Sequence, residues 1–431
     1  MTFDLSNERL FEHAAADKEL AYSLRGFTGV LRVESPDDGF DFSFDQGRLT
    51  GVARRDGQAN ATLSGPAEFW KKAFEPGVPR PGVESLSTAW ANGITMSGDF
   101  TQVVAPYQLG LQRLYRVFVE AAAGPAPRRS PPTPPRETDT AIGRYVYVGA
   151  NGVEARMYYE EAGDGPIPLL LQATAGADSR QYRHLLADPG MQKRFRMIAY
   201  DLPYHGRSMP PIGERWWETP YLPTRDWLMN WVVALADTLG LEQPYFMGCS
   251  VGGQMALDLA AEHADRFGAF ISLNGWYDAP TLPVGFSNDL FRTPSISPDF
   301  GPALNFGATS PISPEAHAHE VHWIYRSSFP GIYAGDNDYF AYGHDLKENG
   351  HKIDAHSKPV YLVAGEYDVT TLDHVHGGPA AAENIPGLVY IVAPGLSHFT
   401  MSDDPDGFRD AIVPILDRVI EQASNTRHAE A

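Results

Sequence analysis

The sequence predicts an α/β protein in which a mostly parallel sheet, covered by helices on both faces, follows a smaller α+β domain. Short apolar runs such as Ile167–Gln172 and Arg196–Tyr200 alternate with amphipathic helical patterns, which is typical of parallel strands buried on both faces. The 431 residues exceed the usual size of one domain. Gly124–Arg136 reads GPAPRRSPPTPPR, and this proline density indicates a stiff, extended linker between two domains.

Composition limits the partners and the compartment. The 34 basic and 54 acidic side chains give a net charge of -20, which disfavours nucleic acid and anionic membrane surfaces as partners. Cys249 is the only cysteine, so no intrachain disulfide can form, and this fits a reducing compartment. The sequence has no signal-peptide pattern and no apolar run of the ~20 residues needed to span a bilayer. We therefore expect a cytoplasmic protein with no nucleic-acid or membrane partner.

Residues 1–123 are predicted to form the α+β domain, and residues 124–139 the linker. Phe40, Phe42 and Phe44 alternate with polar residues, which indicates a half-buried strand, and Gln46-Gly47 is a plausible hairpin turn after it. Pro66 suits the first position of a helix. The expected elements are strands at 29–34, 40–44, 48–53, 60–64 and 93–97, and helices at 66–74 and 106–123.

This element order resembles the type-two sterol carrier protein fold, with Ala61–Gly65 and Gly93–Phe100 as the most similar segments. The resemblance implies that the domain shelters a hydrophobic guest in an apolar tunnel. The alternative is a small domain that joins copies of the chain into a homo-oligomer or that covers a site in the second domain.

Residues 140–431 are predicted to form the α/β domain. Arg144–Val148 and Glu154–Glu160 are expected to pair as a hairpin, and Trp227–Leu239 has the apolar spacing of an amphipathic helix. A closing helix is expected near the end of the chain, with a kink at Pro414. The expected buried strands are 167–172, 196–200, 244–247, 269–273, 359–364 and 389–392.

The pentapeptide Gly248-Cys249-Ser250-Val251-Gly252 lies between the expected strand 244–247 and an expected helix that starts at Gly253. A G-x-S-x-G sequence in this context is a sharp strand-to-helix turn that presents the serine hydroxyl above the edge of the sheet. The two glycines are required because so tight a turn leaves no room for side chains. Ser250 is therefore a candidate nucleophile, whereas Cys249 is expected to be a small buried residue behind the turn.

Two further strands end in residues that complete this chemistry. Asp368 follows the strand 359–364, and His398 follows the last strand within Pro394-Gly395-Leu396-Ser397-His398. Together with the turn at Ser250, these motifs resemble the α/β-hydrolase family over roughly residues 140–423. The resemblance implies that His398 takes the serine proton and that Asp368 orients the imidazole. Asp373 is close in sequence and is a competing choice for the acid.

The resemblance also implies two backbone donors for an oxyanion. One is the amide of Val251, and the other belongs to the loop after the third strand, where the family often has His-Gly. This chain has Gln172-Ala173-Thr174-Ala175-Gly176 there. Alignment of the loop gives Thr174 as the second donor, with Ala173 as the fallback. Gln172 either bonds where the family's histidine does or satisfies backbone groups.

Ser250 and Asp368 are 118 positions apart, which implies an insertion at about 276–357. In this family such an insertion commonly forms a lid, and its many aromatic residues suggest an apolar or aromatic small-molecule substrate, although most of them are expected to be lid core. Arg292 and Arg326 are candidates for a substrate carboxylate, with surface roles favoured. His205 is expected to be a structural loop residue. A solvated helix face is expected for His317, His319, Glu320 and His322, and no metal or cofactor is predicted.

The function expected from these residues is metal-independent serine hydrolysis of an acyl bond, most often a carboxylic ester, through an acyl-enzyme. The same three residues also serve the C–C hydrolysis of diketones formed in aromatic degradation, which is the alternative. A third hypothesis is an inactive hydrolase domain that serves as a receptor, with the first domain carrying lipid. Labelling by a fluorophosphonate separates the enzyme from the receptor.

Overall fold

The computed structural model describes residues 1–131, 138–278 and 288–430, which form two compact units. The first unit combines Met1–Ser130 with Thr293–His322, and the second combines 131–292 with 323–431. Residues 293–322 were expected in the lid of the second domain, but they pack into the first unit. Residues 132–137 of the expected linker and 279–287 of the expected lid lie outside the described residues.

The first unit is built on a five-stranded sheet of order β3-β2-β1-β4-β5. The pair β1 and β4 is parallel, and the other pairs are antiparallel. Gln46 and Gly47 form the β2–β3 turn with φ of 51° and 84°, as the sequence predicts for a tight hairpin. The strands are β1 (Gly29–Glu34), β2 (Gly39–Asp45), β3 (Arg48–Arg54), β4 (Ala61–Ser64) and β5 (Thr95–Gly98).

Seven helices contribute to this unit. From the N-terminal segment come α1 (Asn7–Ala16), α2 (Lys18–Ser23), α3 (Ala67–Ala73), α4 (Leu86–Ala89) and α5 (Gln108–Ala123), and from the inserted segment come α10 (Phe300–Gly307) and the first part of α11 (Glu315–Arg326). The inserted segment is joined by the Phe100 and Phe300 rings, whose centroids are 5.1 Å apart, and by the Ser87 hydroxyl, which donates to the Leu304 carbonyl at 2.7 Å. These contacts explain why 293–322 belongs to the first unit.

An aromatic cluster fills the space between the first sheet and its helices. The rings of Phe3, Trp70 and Phe118 are fully buried, with centroids 5.2 to 5.6 Å apart in mostly edge-to-face arrangements. Phe40 and Phe42 from β2 pack on the same cluster. The alternating phenylalanines are thus core residues, and an apolar guest for this domain stays a prediction.

The second unit contains an eight-stranded sheet of order β13-β12-β11-β10-β8-β9-β7-β6. From β13 to β9 the strands are parallel, and β7 and β6 form an antiparallel hairpin at one edge. The strands are β6 (Ile142–Ala150), β7 (Val153–Ala162), β8 (Ile167–Gln172), β9 (Phe195–Tyr200), β10 (Tyr245–Cys249), β11 (Ala269–Leu273), β12 (Val360–Gly365) and β13 (Val389–Ala393).

Helices cover both faces of this sheet, as the apolar strand patterns predict. Trp231 and Met255 are core residues on one face, and Met191 and Leu416 are core residues on the other. The remaining helices are α6 (Arg183–Leu186), α7 (Pro189–Arg194), α8 (Arg225–Thr238), α9 (Val251–Glu262), α12 (Pro330–Asp338), α13 (Leu346–Asn349), α14 (Gly378–Asn384), α15 (Thr400–Asp403) and α16 (Pro405–Glu430). Within the described residues, no helix is both long enough and apolar enough to cross a bilayer.

Glu84 in the first unit gives a pH dependence that can be tested. One carboxyl oxygen accepts from the Thr88 hydroxyl at 2.6 Å, and the other is buried without a partner among the described residues. Burial raises the pKa of Glu84 to about 7. In the folded protein Glu84 therefore keeps a proton that it loses in the unfolded chain at the ordinary pKa of a carboxyl group. The free energy of unfolding falls as the pH rises from that ordinary pKa to the raised pKa of the folded state.

We expect Glu84→Gln to match the wild type in free energy of unfolding near pH 4. At pH 8 the variant is expected to be more stable by up to about 3 kcal/mol, because the amide needs no proton. Denaturant unfolding of the full chain between pH 4 and pH 8 measures the free energy of unfolding of the wild type and of the variant. Glu75→Gln, at an exposed residue of the same unit, is the control and is expected to keep the wild-type pH dependence. If the free energy of unfolding of Glu84→Gln runs parallel to that of the wild type across this pH range, the prediction is contradicted.

Candidate active site

Ser250 occupies a strained turn between β10 and α9. Its φ of 58° and ψ of -114° are unusual for a residue with a side chain, and its amide donates to the Leu273 carbonyl at 2.8 Å. A Cβ atom on Gly248 would lie 2.3 Å from the Gly252 carbonyl oxygen, and one on Gly252 would lie 2.7 Å from the Gln172 carbonyl oxygen. Both flanking glycines are therefore required by close packing, as the sequence predicts.

His398 and Asp368 meet at the carboxyl edge of the same sheet. The distance from His398 Nδ1 to Asp368 Oδ2 is 2.7 Å, and the carboxylate also accepts from the hydroxyls of Thr370 and Thr371. Burial works to raise the pKa of Asp368, but the adjacent His398 ring and these hydrogen bonds outweigh it, so the pKa lies below its usual range. Asp368 therefore remains an anion that can hold the imidazole.

Asp373 does not take part in this pair. Its carboxylate accepts from the backbone amides of Val375 and His376 at 2.8 Å, which closes the turn that follows. Of the two acids that the sequence leaves open, Asp368 is the one that contacts His398.

Asn274 links the loops that carry these residues. Its side-chain amide donates to the carbonyls of Ser397 and His398 at 3.0 Å, and its side-chain oxygen accepts from the Gly365 amide at 2.8 Å. The Cys249 thiol, directly before Ser250, also donates to the His398 carbonyl at 3.1 Å. One fully buried side chain thus fixes the strand end before Asp368 and the backbone of His398. Sequence reasoning missed Asn274, although its place directly after β11 at the carboxyl edge is a usable signal.

Val251 and Thr174 differ in their availability as oxyanion donors. Val251 begins α9, so its amide has no partner within the helix, and it lines a small cavity together with Ala173 and Thr174. The Thr174 amide, in contrast, donates to Gln181 Oε1 at 3.0 Å. The prediction that Thr174 supplies a free second donor is therefore wrong for this arrangement, because a side chain seven positions later has folded back onto the amide. The fallback, Ala173, stays a prediction.

The β8 loop, residues 172–177, is held by buried side chains. Gln172 Oε1 accepts from the Tyr200 hydroxyl at 2.7 Å, and the Gln172 carbonyl accepts from the Tyr182 hydroxyl at 3.0 Å. Gln172 therefore bonds to a tyrosine side chain rather than to backbone groups. Gln181, whose side chain bonds to Thr174 of this loop, accepts at its backbone carbonyl from the Ser402 hydroxyl in the helix after His398.

Asp336 of α12 forms a buried ion pair with His205 and a hydrogen bond with the β8 loop. His205 Nε2 lies 2.7 Å from Asp336 Oδ2, which also accepts from the Gly176 amide at 2.7 Å. His205 Nδ1 lies 3.1 Å from the Pro203 carbonyl, an acceptor only, so both ring nitrogens donate. Burial lowers the pKa of His205, but the Asp336 carboxylate, the Pro203 carbonyl and Asp201 together raise it above its ordinary value. His205 is thus held by Asp336 and Pro203, and its expected structural role stays a prediction; Asp336 is a partner that the sequence did not reveal.

The remaining candidate residues lie elsewhere. Arg292 is paired with Asp289 and Asp338, and Arg326 is exposed. His317 is buried, which corrects the expectation of a solvated face, and the His319 ring stacks on Phe306 at 4.8 Å. Ligand atoms of Glu19, Glu315 and His319 lie within 4.8 Å of one another in the first unit, where Glu315 is exposed and His319 Nε2 lies 3.5 Å from Glu19 Oε1.

Comparison with known proteins agrees with this architecture. Residues 167–298 match the family model of the alpha/beta hydrolase fold. A 2-hydroxy-6-oxononadienedioate/2-hydroxy-6-oxononatrienedioate hydrolase from Burkholderia vietnamiensis is 25% identical over 170 residues, which are 37% of this chain and 56% of that protein. The chain thus spans about half the length of the curated relatives it matches.

Two solved structures share the fold of the second unit. An esterase from Thermogutta terrifontis has a TM-score of 0.53 and 18% identity, covering 64% of this chain and 99% of its own. An enol-lactonase from Burkholderia xenovorans LB400 has a TM-score of 0.52 and 22% identity, covering 63% of this chain and 100% of its own. The second unit is therefore an α/β-hydrolase-fold domain, and the predicted fold class is confirmed.

The role of Asn274 can be tested by Asn274→Asp, which keeps the acceptor for Gly365 but removes the donor to two buried carbonyls. We expect the free energy of unfolding to fall by about 2 kcal/mol or more, because the Ser397 carbonyl loses its side-chain donor, the His398 carbonyl keeps only the Cys249 thiol, and both face a new charge. Denaturant titration measures the change. Asn230→Asp, at an exposed asparagine of the same unit, is the matched control and is expected to stay within about 0.5 kcal/mol of wild type. Equal stability of the two variants would contradict the role.

Proposed function

We propose that the second unit is a serine hydrolase with Ser250 as nucleophile, His398 as general base and Asp368 as the acid that orients the imidazole. The observation that carries this proposal is the half-buried 2.7 Å contact between His398 Nδ1 and Asp368, joined through the Cys249 thiol to the strained turn at Ser250. A hydroxyl is a weak nucleophile at neutral pH, so a serine in such a turn needs a base that an anion holds in one tautomer.

In the proposed reaction, the Ser250 oxygen attacks the substrate carbonyl carbon while its proton passes to His398 Nε2. The carbonyl becomes an oxyanion, which the Val251 amide at the start of α9 stabilises. His398 returns the proton to the leaving alkoxide as the bond to the acyl carbon breaks. Water then attacks the acyl-enzyme with the same base, which releases the acid and restores the Ser250 hydroxyl.

Carboxylic esters of apolar or aromatic small molecules are the proposed substrates. The rings of Tyr325 and Phe399 are 5.7 Å apart, and the Phe399 ring packs on His398 at 4.9 Å. Phe291 and Tyr333 add an edge-to-face pair at 4.7 Å. The Tyr333 ring also lies 5.8 Å from the Tyr325 ring, so these side chains form a connected aromatic cluster that reaches the base and supports an apolar acyl or alcohol group.

Hydrolysis of a C–C bond is the second candidate. The Burkholderia vietnamiensis relative is named for a keto-dienedioate substrate, and a protein named 2-hydroxy-6-oxo-6-phenylhexa-2,4-dienoate hydrolase from Comamonas testosteroni is 30% identical over 120 residues. The nucleophile, base and acid would be the same for both bonds. The bond that is cleaved depends on the lid and the substrate rather than on these three residues.

The proposed roles predict graded losses of activity. Ser250→Ala should remove turnover of p-nitrophenyl butyrate, and Asp368→Asn should lower kcat by about 10⁴-fold, because the amide favours the wrong imidazole tautomer. Steady-state kinetics on the folded variants measures both. Asp373→Asn is the matched control, since that carboxylate only closes a turn, and it should keep kcat within a few-fold. Loss of kcat in Asp373→Asn with normal turnover in Asp368→Asn would contradict the assignment.

A substrate panel separates the two candidate bonds. The purified full chain is offered p-nitrophenyl esters of increasing acyl length and a vinylogous diketone, and product formation is followed by absorbance. We expect ester turnover that is lost in Ser250→Ala. Turnover of the diketone alone, also lost in Ser250→Ala, would replace the ester proposal with C–C hydrolysis.

A further inference from the structure

Tyr325 lies between the β8 loop and the candidate base. Its hydroxyl forms a hydrogen bond with Thr174 Oγ1, and its ring packs edge-on against Phe399, which in turn packs on His398. Tyr325 is 5% exposed and Thr174 is 3% exposed, so both hydroxyls are shielded from bulk water. The cavity that Thr174 lines is also lined by Val251, whose amide is the first proposed oxyanion donor. The phenol is thus one hydrogen bond away from a side chain that lines this cavity.

The usual backbone donor at this place is already engaged. The Thr174 amide donates to Gln181 Oε1 at 3.0 Å, and Nε2 of the same glutamine donates to Thr174 Oγ1 at 3.0 Å. Freeing the backbone amide would require the buried glutamine to give up this contact, which costs a desolvated hydrogen bond. We infer that the Tyr325 hydroxyl, rather than the Thr174 amide, is the second donor to the substrate oxyanion. The inference rests on the proposed serine hydrolase function.

The hydrogen bonds around Thr174 allow the hydroxyl proton of Tyr325 to point away from Thr174. Gln181 Nε2 donates to Thr174 Oγ1, and Gln181 Oε1 accepts from the Thr174 amide. The Thr174 hydroxyl has two acceptors in reach, Gln181 Oε1 at 3.2 Å and the Tyr325 oxygen. When it donates to the tyrosine, the Tyr325 proton is left for another acceptor. An oxyanion that forms beside Val251 is such an acceptor, and no bond is made or broken in Tyr325 itself.

The environment keeps this donor protonated. Burial raises the pKa of Tyr325 well above its ordinary value of 10, so the phenol carries its proton throughout the neutral range. A donor shielded from water also stabilises a developing charge more strongly than an exposed one. Because Tyr325 lies on α11 in the insertion, the second donor would be delivered by the lid segment rather than by the sheet.

Tyr325→Phe tests the inference in the full chain with p-nitrophenyl butyrate as substrate. We expect kcat to fall by about 100-fold or more with KM within about threefold, which is the effect of losing one oxyanion donor. A trifluoromethyl ketone that forms a hemiketal with Ser250 is the second probe. Its inhibition constant should rise by the same factor as kcat/KM falls, because the hemiketal oxygen occupies the oxyanion position.

Tyr182→Phe is the matched control, since it also removes a buried phenol that bonds to the β8 loop, through the Gln172 carbonyl. This control should lose stability without a comparable loss of kcat. If Tyr325→Phe does not fold, Thr174→Val removes the hydroxyl that orients the phenol and should lower kcat in the same direction, whereas Thr174→Ser should restore it.

Three outcomes overturn the inference. In the first, Tyr325→Phe keeps kcat and the inhibition constant within threefold of wild type. In the second, Tyr325→Phe lowers stability and changes KM but leaves kcat unchanged, which is the pattern of a structural residue. In the third, Gln181→Ala raises kcat while Tyr325→Phe has no effect, which would return the role to the Thr174 amide. A wild-type chain that neither hydrolyses the ester nor binds the ketone would instead overturn the proposed function, and the inference with it.

Discussion

The arrangement of the candidate site depends on how backbone groups are paired where parallel strands end. At the carboxyl edge the sheet ladder stops, and the freed amides and carbonyls are buried by the loops above, so each needs a partner. Asn274 supplies an acceptor for Gly365 and donors for Ser397 and His398 from one side chain. Neither a carboxylate nor an aliphatic side chain offers both kinds of bond. The loop that carries His398 is therefore fixed to the end of β12, and the contact with Asp368 follows from that register.

The insertion acts on the site through the β8 loop. Asp336 from α12 accepts from the Gly176 amide and pairs with His205, and Tyr325 from α11 bonds to Thr174. All of these groups are buried, so moving either helix would leave polar atoms unpaired. The β8 loop, α12 and the Tyr325 end of α11 are thus one hydrogen-bonded assembly. In the proposed enzyme, the shape of the acyl pocket and the stabilisation of the oxyanion would change together when the insertion varies.

Sequence reasoning succeeded where the determinants are local. The Ser250 turn is specified by glycines at fixed offsets, and β12 and β13 are short apolar strands that end at the segments carrying Asp368 and His398, so these positions could be predicted. The partners that the sequence could not reveal are remote: Tyr325 is 151 positions from Thr174, and Asp336 is 160 positions from Gly176. No periodicity encodes such contacts, because they depend on how the insertion folds back. The packing of 293–322 into the first unit was missed for the same reason.

Thr174 shows that the position of a loop does not by itself decide the role of its amide. The β8 loop occupies the expected position, but a donor must be free as well as well placed, and Gln181 takes the amide. That competition is decided by one side-chain rotamer, which sequence patterns do not specify. His317 illustrates the same limit, since its helical spacing indicated a solvated face and tertiary packing buried it.

The central claim is that Ser250, His398 and Asp368 act together on one acyl carbon. The most direct test is to treat the full chain with a fluorophosphonate and to map the modified peptide by mass spectrometry. The account predicts one adduct per chain on the oxygen of Ser250, formed far more slowly when His398 is replaced by alanine. A folded chain that stays unmodified, or that is modified at another residue while Ser250 remains free, would contradict it.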